Sequence, residues 1–127
     1  MPEPAVAISG DRFPRRARLR QRVEFDRCYR QGRRHHAGAF TLHAVSGEGA
    51  VARVGTTVSR RVGGSVERQR LKRWTREVFR RSESRAALAG CDLVVHFKPG
   101  AAGVPFADFQ RDLERLLAEA ARRRRSP

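Results

Sequence analysis

The sequence has few of the features that mark membrane, secreted or metal-binding proteins. Its 127 residues include two cysteines, Cys28 and Cys91, whose separation fits no metal-ligand motif and suits free thiols in a reducing compartment. No apolar run approaches the roughly 20 residues that a membrane-spanning helix needs. The N-terminus also lacks the charged-then-apolar pattern of a secretory signal. We therefore expect a small cytoplasmic protein with no membrane partner.

Acidic residues are scarce as well. The chain has 13 Asp and Glu against 28 Lys and Arg, a formal net charge of +15. Its isoelectric point near 11.7 lies above the value of about 9 that is typical of nucleic-acid-binding domains. A membrane-surface protein is disfavoured, because the apolar stripes of the candidate helices are needed for the core. The composition favours one domain that binds a polyanion.

The apolar periodicity predicts three helices and three strands. Helices are expected from Arg18 to a left-handed stop at Gly32, over residues 66–81, and from Pro105 onward. Strands are expected over residues 39–45, 51–59 and 91–97, with residues 32–38 as a loop. Because only a short turn separates the first two strands, we expect them to form an antiparallel hairpin.

The ends of the chain differ in composition from its middle. Residues 1–12 carry two prolines and no periodicity, which predicts a flexible N-terminal arm. Residues 122–127 begin with four consecutive arginines, and we expect a basic, frayed C-terminal tail. The predicted domain is therefore residues 13–121.

The densest functional signal is residues 59–81, SRRVGGSVERQRLKRWTREVFRR. A glycine turn leads directly into the most basic predicted helix, and both helix N-termini and arginine forks bind phosphate oxygens. On this helix Leu71, Trp74 and Val78 form a packing stripe. Glu67 and Glu77 are too few to pair the surrounding cations. The segment therefore predicts contacts with a phosphate backbone along a helix whose i, i+4 row carries Arg68, Lys72, Arg76 and Arg80.

The sequence offers no convincing catalytic or metal centre. Two-metal hydrolysis needs clustered carboxylates, and acid–base cleavage needs a positioned histidine. His35 and His36 fall in the predicted loop, and His96 falls in a strand, where structural or solvent-facing roles are expected. The aspartates are scattered singly over separate elements, at Asp11, Asp26, Asp92, Asp108 and Asp112.

Residues 63–73, GGSVERQRLKR, resemble the signature of the protein subunit of bacterial ribonuclease P, whose usual pattern is Gly-Asn-Ala-Val-x-Arg-Asn-Arg-x-Lys-Arg. The match continues through Arg76-Glu77 and Phe79-Arg80, and weaker matches extend it over about Phe13 to Leu117. Gln69 departs from the usual Asn. His43 occupies a strand position that is often aromatic in that family.

The resemblance implies one compact α+β domain with a ribonuclease P protein-like fold, also known from a domain of a ribosomal protein. Helices would pack on a central mixed four-stranded sheet that contains a left-handed βαβ crossover. The local pattern accounts for only three strands, and the general rule for crossovers predicts the right-handed form. The fourth strand and the handedness are therefore expected from the resemblance alone.

The implied function is that of an accessory subunit of an endoribonuclease. It would bind the catalytic RNA subunit and the 5′ leader of precursor tRNA and promote magnesium-dependent removal of the leader. The catalytic centre would lie in the RNA, which would also bind most of the Mg²⁺, and no obligate protein partner is expected. The residues implied to bind the RNA subunit are Arg60, Arg61, Arg68, Gln69, Arg70 and Arg73. Those implied to form a leader-binding cleft are Phe25, Tyr29, His43, Lys72 and Arg76.

Other functions remain open at this point. A small basic ribosomal or RNA-chaperone protein would share the charge and the location. A protein-only ribonuclease would require the scattered carboxylates to converge in space. A DNA-binding helix-turn-helix protein is disfavoured, because predicted strands flank the basic helix.

Overall fold

The structure is a computed structural model that describes residues 15–47 and 49–125. The flexible arm predicted for residues 1–12 lies outside the described residues. The helices and strands follow in the order α1 (Arg22–Gln31), β1 (Arg33–His36), β2 (Phe40–Ser46), β3 (Arg53–Thr57), α2 (Ser65–Arg81), β4 (Cys91–Phe97) and α3 (Phe106–Arg125). Short 3-10 turns precede α1 and lie on either side of β4.

The four strands form one mixed sheet in the order β1-β2-β4-β3. β2 pairs antiparallel with both β1 and β4, whereas β3 pairs parallel with β4. The mixed four-stranded sheet expected from the resemblance is therefore confirmed. The predicted hairpin, which corresponds to β2 and β3, is wrong, because β4 lies between these strands in the sheet. α2 instead makes the crossover that the parallel pair β3 and β4 requires. The left-handedness of this crossover stays a prediction.

The region predicted as a loop over residues 32–38 contains the edge strand β1. Its four residues pair with β2, from Arg33 opposite Ala44 to His36 opposite Thr41. Only His35 is buried along it. A strand this short and this polar has no apolar alternation to detect. It is held in place by its hydrogen bonds to β2 rather than by burial of its own side chains.

The sheet separates two apolar cores of unequal size. Successive residues of a strand point to opposite faces. On one face the larger core includes Leu93, Val95 and Phe97 of β4, packed beneath α2 and α3. On the other face α1 covers a small core of Leu19, Cys28 and Val94. β4 is therefore buried on both faces over most of its length.

Aromatic rings fill the larger core between the sheet and α3. The Phe97 and Phe109 ring centroids lie 5.7 Å apart, and the Trp74 ring contacts Phe106 with centroids 5.1 Å apart. Trp74, on the stripe with Leu71 and Val78, thus packs as the helical periodicity predicted. The opposite side of α2 remains for charged residues.

α1 ends at Gly32, as predicted, but not in the predicted conformation. Gly32 has φ −76° and ψ 155°, which is extended rather than left-handed. A Cβ at this position would lie 2.4 Å from the Cys28 carbonyl oxygen and 3.0 Å from that of Ala44. Glycine is needed here because β2 passes close to the end of the helix.

α3 continues through Arg125, so the prediction of a frayed tail is wrong for residues 122–125. Arg124 Nη1 donates to the carbonyl oxygen of Ala87 at 3.1 Å and to that of Ala89. These bonds attach the last turns of α3 to the segment before β4. None of the helices in the described residues is long and apolar enough to cross a membrane.

Arg53 joins α1 to the sheet. Its Nε and Nη2 each donate to the Asp92 carboxylate of β4 at 2.9 Å, and its Nη1 donates to Glu24 of α1 at 2.8 Å. The Asp92 side chain is 8% exposed, so this bidentate pair is largely shielded from water. Hydrogen bonding to Asp92 raises the pKa of Arg53 despite burial. Burial acts to raise the pKa of Glu24, but hydrogen bonds from backbone N–H groups and from Arg53 lower it overall.

We predict that Arg53→Ala lowers the free energy of unfolding by about 2–3 kcal/mol, because it leaves the buried Asp92 without its bidentate partner. Urea denaturation followed by circular dichroism measures this change. Arg111→Ala on α3 is the matched control, since Arg111 is exposed and its ion pairs lie in solvent. That control should change stability by no more than about 0.5 kcal/mol. An equally small effect of Arg53→Ala would contradict the stabilising role.

Candidate nucleic-acid interface

A pocket of about 180 Å³ opens between α1, α2 and the edge strand β3. α1 contributes Phe25, and α2 contributes Lys72 and Arg76. Arg18 completes the cationic lining, and its backbone forms a parallel bridge with Val54 at the edge of the sheet. The pocket therefore contains three of the five residues expected in the leader-binding cleft, and adds Arg18, to which the sequence analysis gave no binding role.

Gly55 of β3 determines how close Phe25 lies to the strand. A Cβ on Gly55 would lie 2.6 Å from Phe25 Cζ and 3.0 Å from Leu19 Cβ. Real Cβ atoms essentially never come as close to another atom as that first distance. The ring of Phe25 can therefore rest on the sheet only because this strand position has no side chain. Phe25 is half-buried, so it both packs on β3 and lines the pocket.

The pocket is strongly cationic. Arg18, Lys72 and Arg76 line it, and none of its described lining residues is acidic. Partial burial, followed by the nearby Arg18 guanidinium, lowers the pKa of Arg76. Like charges held this close together favour an anionic ligand, because a phosphate would relieve their mutual repulsion.

Beside the pocket, Tyr29 of α1 lies against two histidines of the sheet. Its ring centroid is 4.8 Å from that of His43 and 5.7 Å from that of His96, both edge to face. The Tyr29 hydroxyl forms hydrogen bonds with Thr57 Oγ1 at 2.5 Å and His96 Nδ1 at 2.9 Å. We call the pocket and this aromatic cluster together the cleft. Phe25 and Tyr29 are four residues apart on α1 and so share one helix face.

The histidines of the cluster differ in exposure. His43 is 8% exposed, so its ring supports Tyr29 and does not present a free face. His96 is exposed and lies next to Tyr29, although the sequence analysis gave it no binding role. The alternation of β4 was the available signal, because Val95 and Phe97 point into the larger core and His96 must point to the opposite face.

Two rings of the aromatic cluster, His43 and Tyr29, are neutral at pH 7. Burial, followed by the Coulombic effects of His96, Arg34 and His36, lowers the pKa of His43 to about 4. Burial also raises the pKa of Tyr29 above its ordinary value. Neutral rings beside a cationic pocket are suited to a single strand, whose bases stack while its phosphates pair with the cations.

The remaining candidate residues lie on α2 and the turn before it. Arg60, Arg61, Gln69 and Arg73 are exposed, whereas Arg68 is half-buried. Gly64, the residue before α2, provides no side-chain cap, so the first backbone N–H groups of α2 remain available to an anion.

Arg70, unlike the exposed Arg73, already has partners within the protein. Its Nη2 donates to the Ala102 carbonyl oxygen at 2.9 Å. Its guanidinium lies 5.4 Å from the centroid of the Trp74 ring. Arg70 therefore helps to hold α2 against the segment before α3.

The described residues contain no group of three or more His, Cys, Asp or Glu side chains arranged to hold a metal ion. Their acidic side chains are largely engaged elsewhere. Glu77 pairs with Arg80 and Arg81, and Asp92 pairs with Arg53. The cleft therefore offers binding groups rather than clustered carboxylates.

Comparison with known proteins gives one consistent result. A family model described as Ribonuclease P matches residues 13–121. The chain is 38% identical over 113 residues to the ribonuclease P protein component of Desulfovibrio desulfuricans, covering 87% of each chain. It resembles the solved ribonuclease P protein of Staphylococcus aureus with a TM-score of 0.73 and 26% identity, over 82% of this chain and 94% of that one. The Thermotoga maritima protein gives 0.71 and 29%, over 80% and 96%.

We predict that His43 titrates with a midpoint near pH 4. Because the pKa in the folded chain lies below the ordinary value of 6.5, the unfolded chain takes up the proton first as the pH falls. The stability gained from neutral His43 is therefore complete above pH 6.5 and declines between pH 6.5 and about 4. NMR titration of the His43 ring measures the midpoint. A midpoint near 6.5 would contradict the buried, neutral state.

Proposed function

Because this chain belongs to the ribonuclease P protein family, we propose that it binds the ribonuclease P RNA together with the 5′ leader of precursor tRNA and so promotes removal of the leader. Membership of this family excludes the alternative of a ribosomal or RNA-chaperone protein. The observation that carries the proposal is the cleft, where a cationic pocket and neutral aromatic rings lie side by side. We also propose a cytoplasmic location, since both cysteines are free and buried thiols.

The cleft has the chemistry to hold an unpaired strand of variable sequence. Bases stack on aromatic rings with about 1–3 kcal/mol each and with little regard to sequence. We expect the bases to stack on Tyr29 and on the exposed His96, while the buried His43 packs against both rings. Lys72 and Arg76 then pair with phosphates of the same strand. A leader that differs from one tRNA to the next requires this kind of tolerance.

A second surface is proposed for the RNA subunit. Arg60 and Arg61 precede α2, Arg73 lies on its exposed side, and the uncapped N–H groups of α2 lie between them in the sequence. Arginine forks and a helix N-terminus both suit backbone phosphates, which are present whatever the RNA sequence. One helix would thus contact the leader with Lys72 and Arg76 and the RNA subunit with its exposed side.

We further propose that this chain positions substrate and that the bond is broken at a centre in the RNA subunit. Hydrolysis by two metal ions needs several carboxylates directed at one point. In the described residues Glu24 and Asp92 bind Arg53, and Glu119 binds His35. Mg²⁺ would accordingly be bound chiefly by RNA phosphates. The charge of +15 would help by reducing repulsion between the RNA subunit and its RNA substrate.

We predict that adding this protein to a bacterial ribonuclease P RNA lowers the Mg²⁺ concentration needed to cleave precursor tRNA. The physical reason is that protein cations replace part of the charge neutralisation that Mg²⁺ otherwise supplies. Cleavage rates over a Mg²⁺ series, with and without protein, measure the effect. An unchanged Mg²⁺ dependence would contradict the proposed function. Cleavage by protein freed of all RNA would instead indicate a protein-only nuclease.

We predict that Tyr29→Ala weakens binding of precursor tRNA to the assembled enzyme by about 5- to 100-fold, the equivalent of one lost stacking contact. Mature tRNA, which has no leader, should bind unchanged. Tyr29→Phe is the matched control, because it keeps the ring and loses only the hydroxyl contacts with Thr57 and His96. Equal losses for precursor and mature tRNA would show that Tyr29 does not contact the leader.

A further inference from the structure

A second cationic pocket lies at the β1 edge of the sheet, opposite the β3 edge at which the first pocket opens. Its volume is about 130 Å³, and it opens between β1, β2 and the last turns of α3. Ala44, Leu88 and Ala120 are among its apolar lining residues. Arg33 of β1 with Arg123 and Arg124 of α3 supply its charge, and none of its described lining residues is acidic. The proposed function assigns nothing to this pocket.

His35 forms part of the wall of this pocket and is nearly inaccessible, with a side chain 1% exposed. Its Nδ1 is hydrogen-bonded to the Glu119 carboxylate at 2.7 Å. Its Nε2 is buried and has no hydrogen-bond partner within the described residues. Buried polar atoms are rarely left without a partner, so an imidazole held rigidly by one nitrogen and unpaired at the other suggests a missing ligand.

The three arginines of this pocket can all contact a ligand, but only one of them is held in place by hydrogen bonds within the protein. Arg124 is held in place by Nη1, which donates to two carbonyl oxygens, and its other guanidinium nitrogens remain for a ligand. Arg33 and Arg123 are exposed, and within the described residues the Arg33 guanidinium has no ion pair or hydrogen bond. Glu119 binds His35 at the pocket wall, and its single charge is outweighed by the three guanidinium groups.

The position of the pocket argues for a ligand of its own. Successive residues of a strand point to opposite faces of the sheet. Arg33 and His35 therefore point to the face that α3 covers, whereas Arg34 and its partner His43 point to the face that α1 covers. Arg33 and the arginines of α3 thus face away from an anion bound in the cleft and are placed to contact another.

We propose that the pocket between β1, β2 and the end of α3 binds a backbone phosphate of the ribonuclease P RNA, as a contact separate from α2 and from the cleft. This inference rests on the proposed function for the identity of the RNA. Arginine forks bind phosphate oxygens bidentately, and three of them line this pocket. Exposed Arg33 and Arg123 extend the cationic surface from the pocket out to solvent, which suits a polymer of phosphates better than a small metabolite.

The first experiment compares two double variants of the full chain. Arg33→Ala with Arg123→Ala removes two charges from the pocket, and Arg111→Ala with Arg115→Ala removes two exposed charges elsewhere on α3. Affinity for a bacterial ribonuclease P RNA is measured over a salt series. The pocket variant should bind about tenfold more weakly at physiological salt, and the steepness of its salt dependence should fall by about one unit. The control variant should stay within twofold of the wild type.

The second experiment uses inorganic phosphate as the probe. In NMR spectra of the wild-type full chain, phosphate should shift the His35 ring and Ala120 amide signals, and the pocket variant should lose these shifts. If phosphate shifts these signals but both variants bind RNA equally, the site takes free phosphate and the RNA assignment is overturned. If the wild type fails to bind the RNA, both proposals fail. Normal binding by the wild type and by both variants overturns this inference alone.

Discussion

The bidentate contact between Arg53 and Asp92 fixes the geometry on which the cleft depends. Arg53 lies on β3, Asp92 on β4, and the third partner, Glu24, lies in the first turn of α1. α1 has only a small apolar core beneath it, so packing alone determines its position weakly. Charged hydrogen bonds are directional, and they align the helix that supplies Phe25 and Tyr29 with the strands that supply Thr57 and His96.

The two faces of the sheet contribute differently to stability and to the candidate site. Phe40, Leu42, Phe97 and Phe109 are fully or almost fully buried in the larger core, which provides most of the apolar stabilisation. The opposite face can therefore hold histidines, a tyrosine and threonines that would contribute little to a core. α2 uses this arrangement, since it packs one stripe into the larger core and presents Lys72 and Arg76 to the cleft.

Long periodic segments were predictable from the sequence, and short or non-local features were not. α2, α3, β2 and β4 follow their apolar periodicity closely. β1 has one buried residue and was missed, and the hairpin was wrong because the length of a turn carries no information about a strand inserted later. Phe25, Lys72 and Arg76 meet as expected from the resemblance, whereas Arg18 and His96 join the cleft through tertiary contacts. The buried pair of His35 and Glu119 links residues 84 positions apart, and no local pattern encodes it.

The contact between Gly55 and Phe25 has a consequence for how the chain can vary. The phenyl ring of Phe25 fills the space that a Cβ at position 55 would need, so the two positions are not free to change independently. An alanine at position 55 would be accommodated only with a smaller or differently inclined side chain at position 25. Among relatives, these two positions should therefore change together. The depth of the pocket should depend on both residues rather than on either one alone.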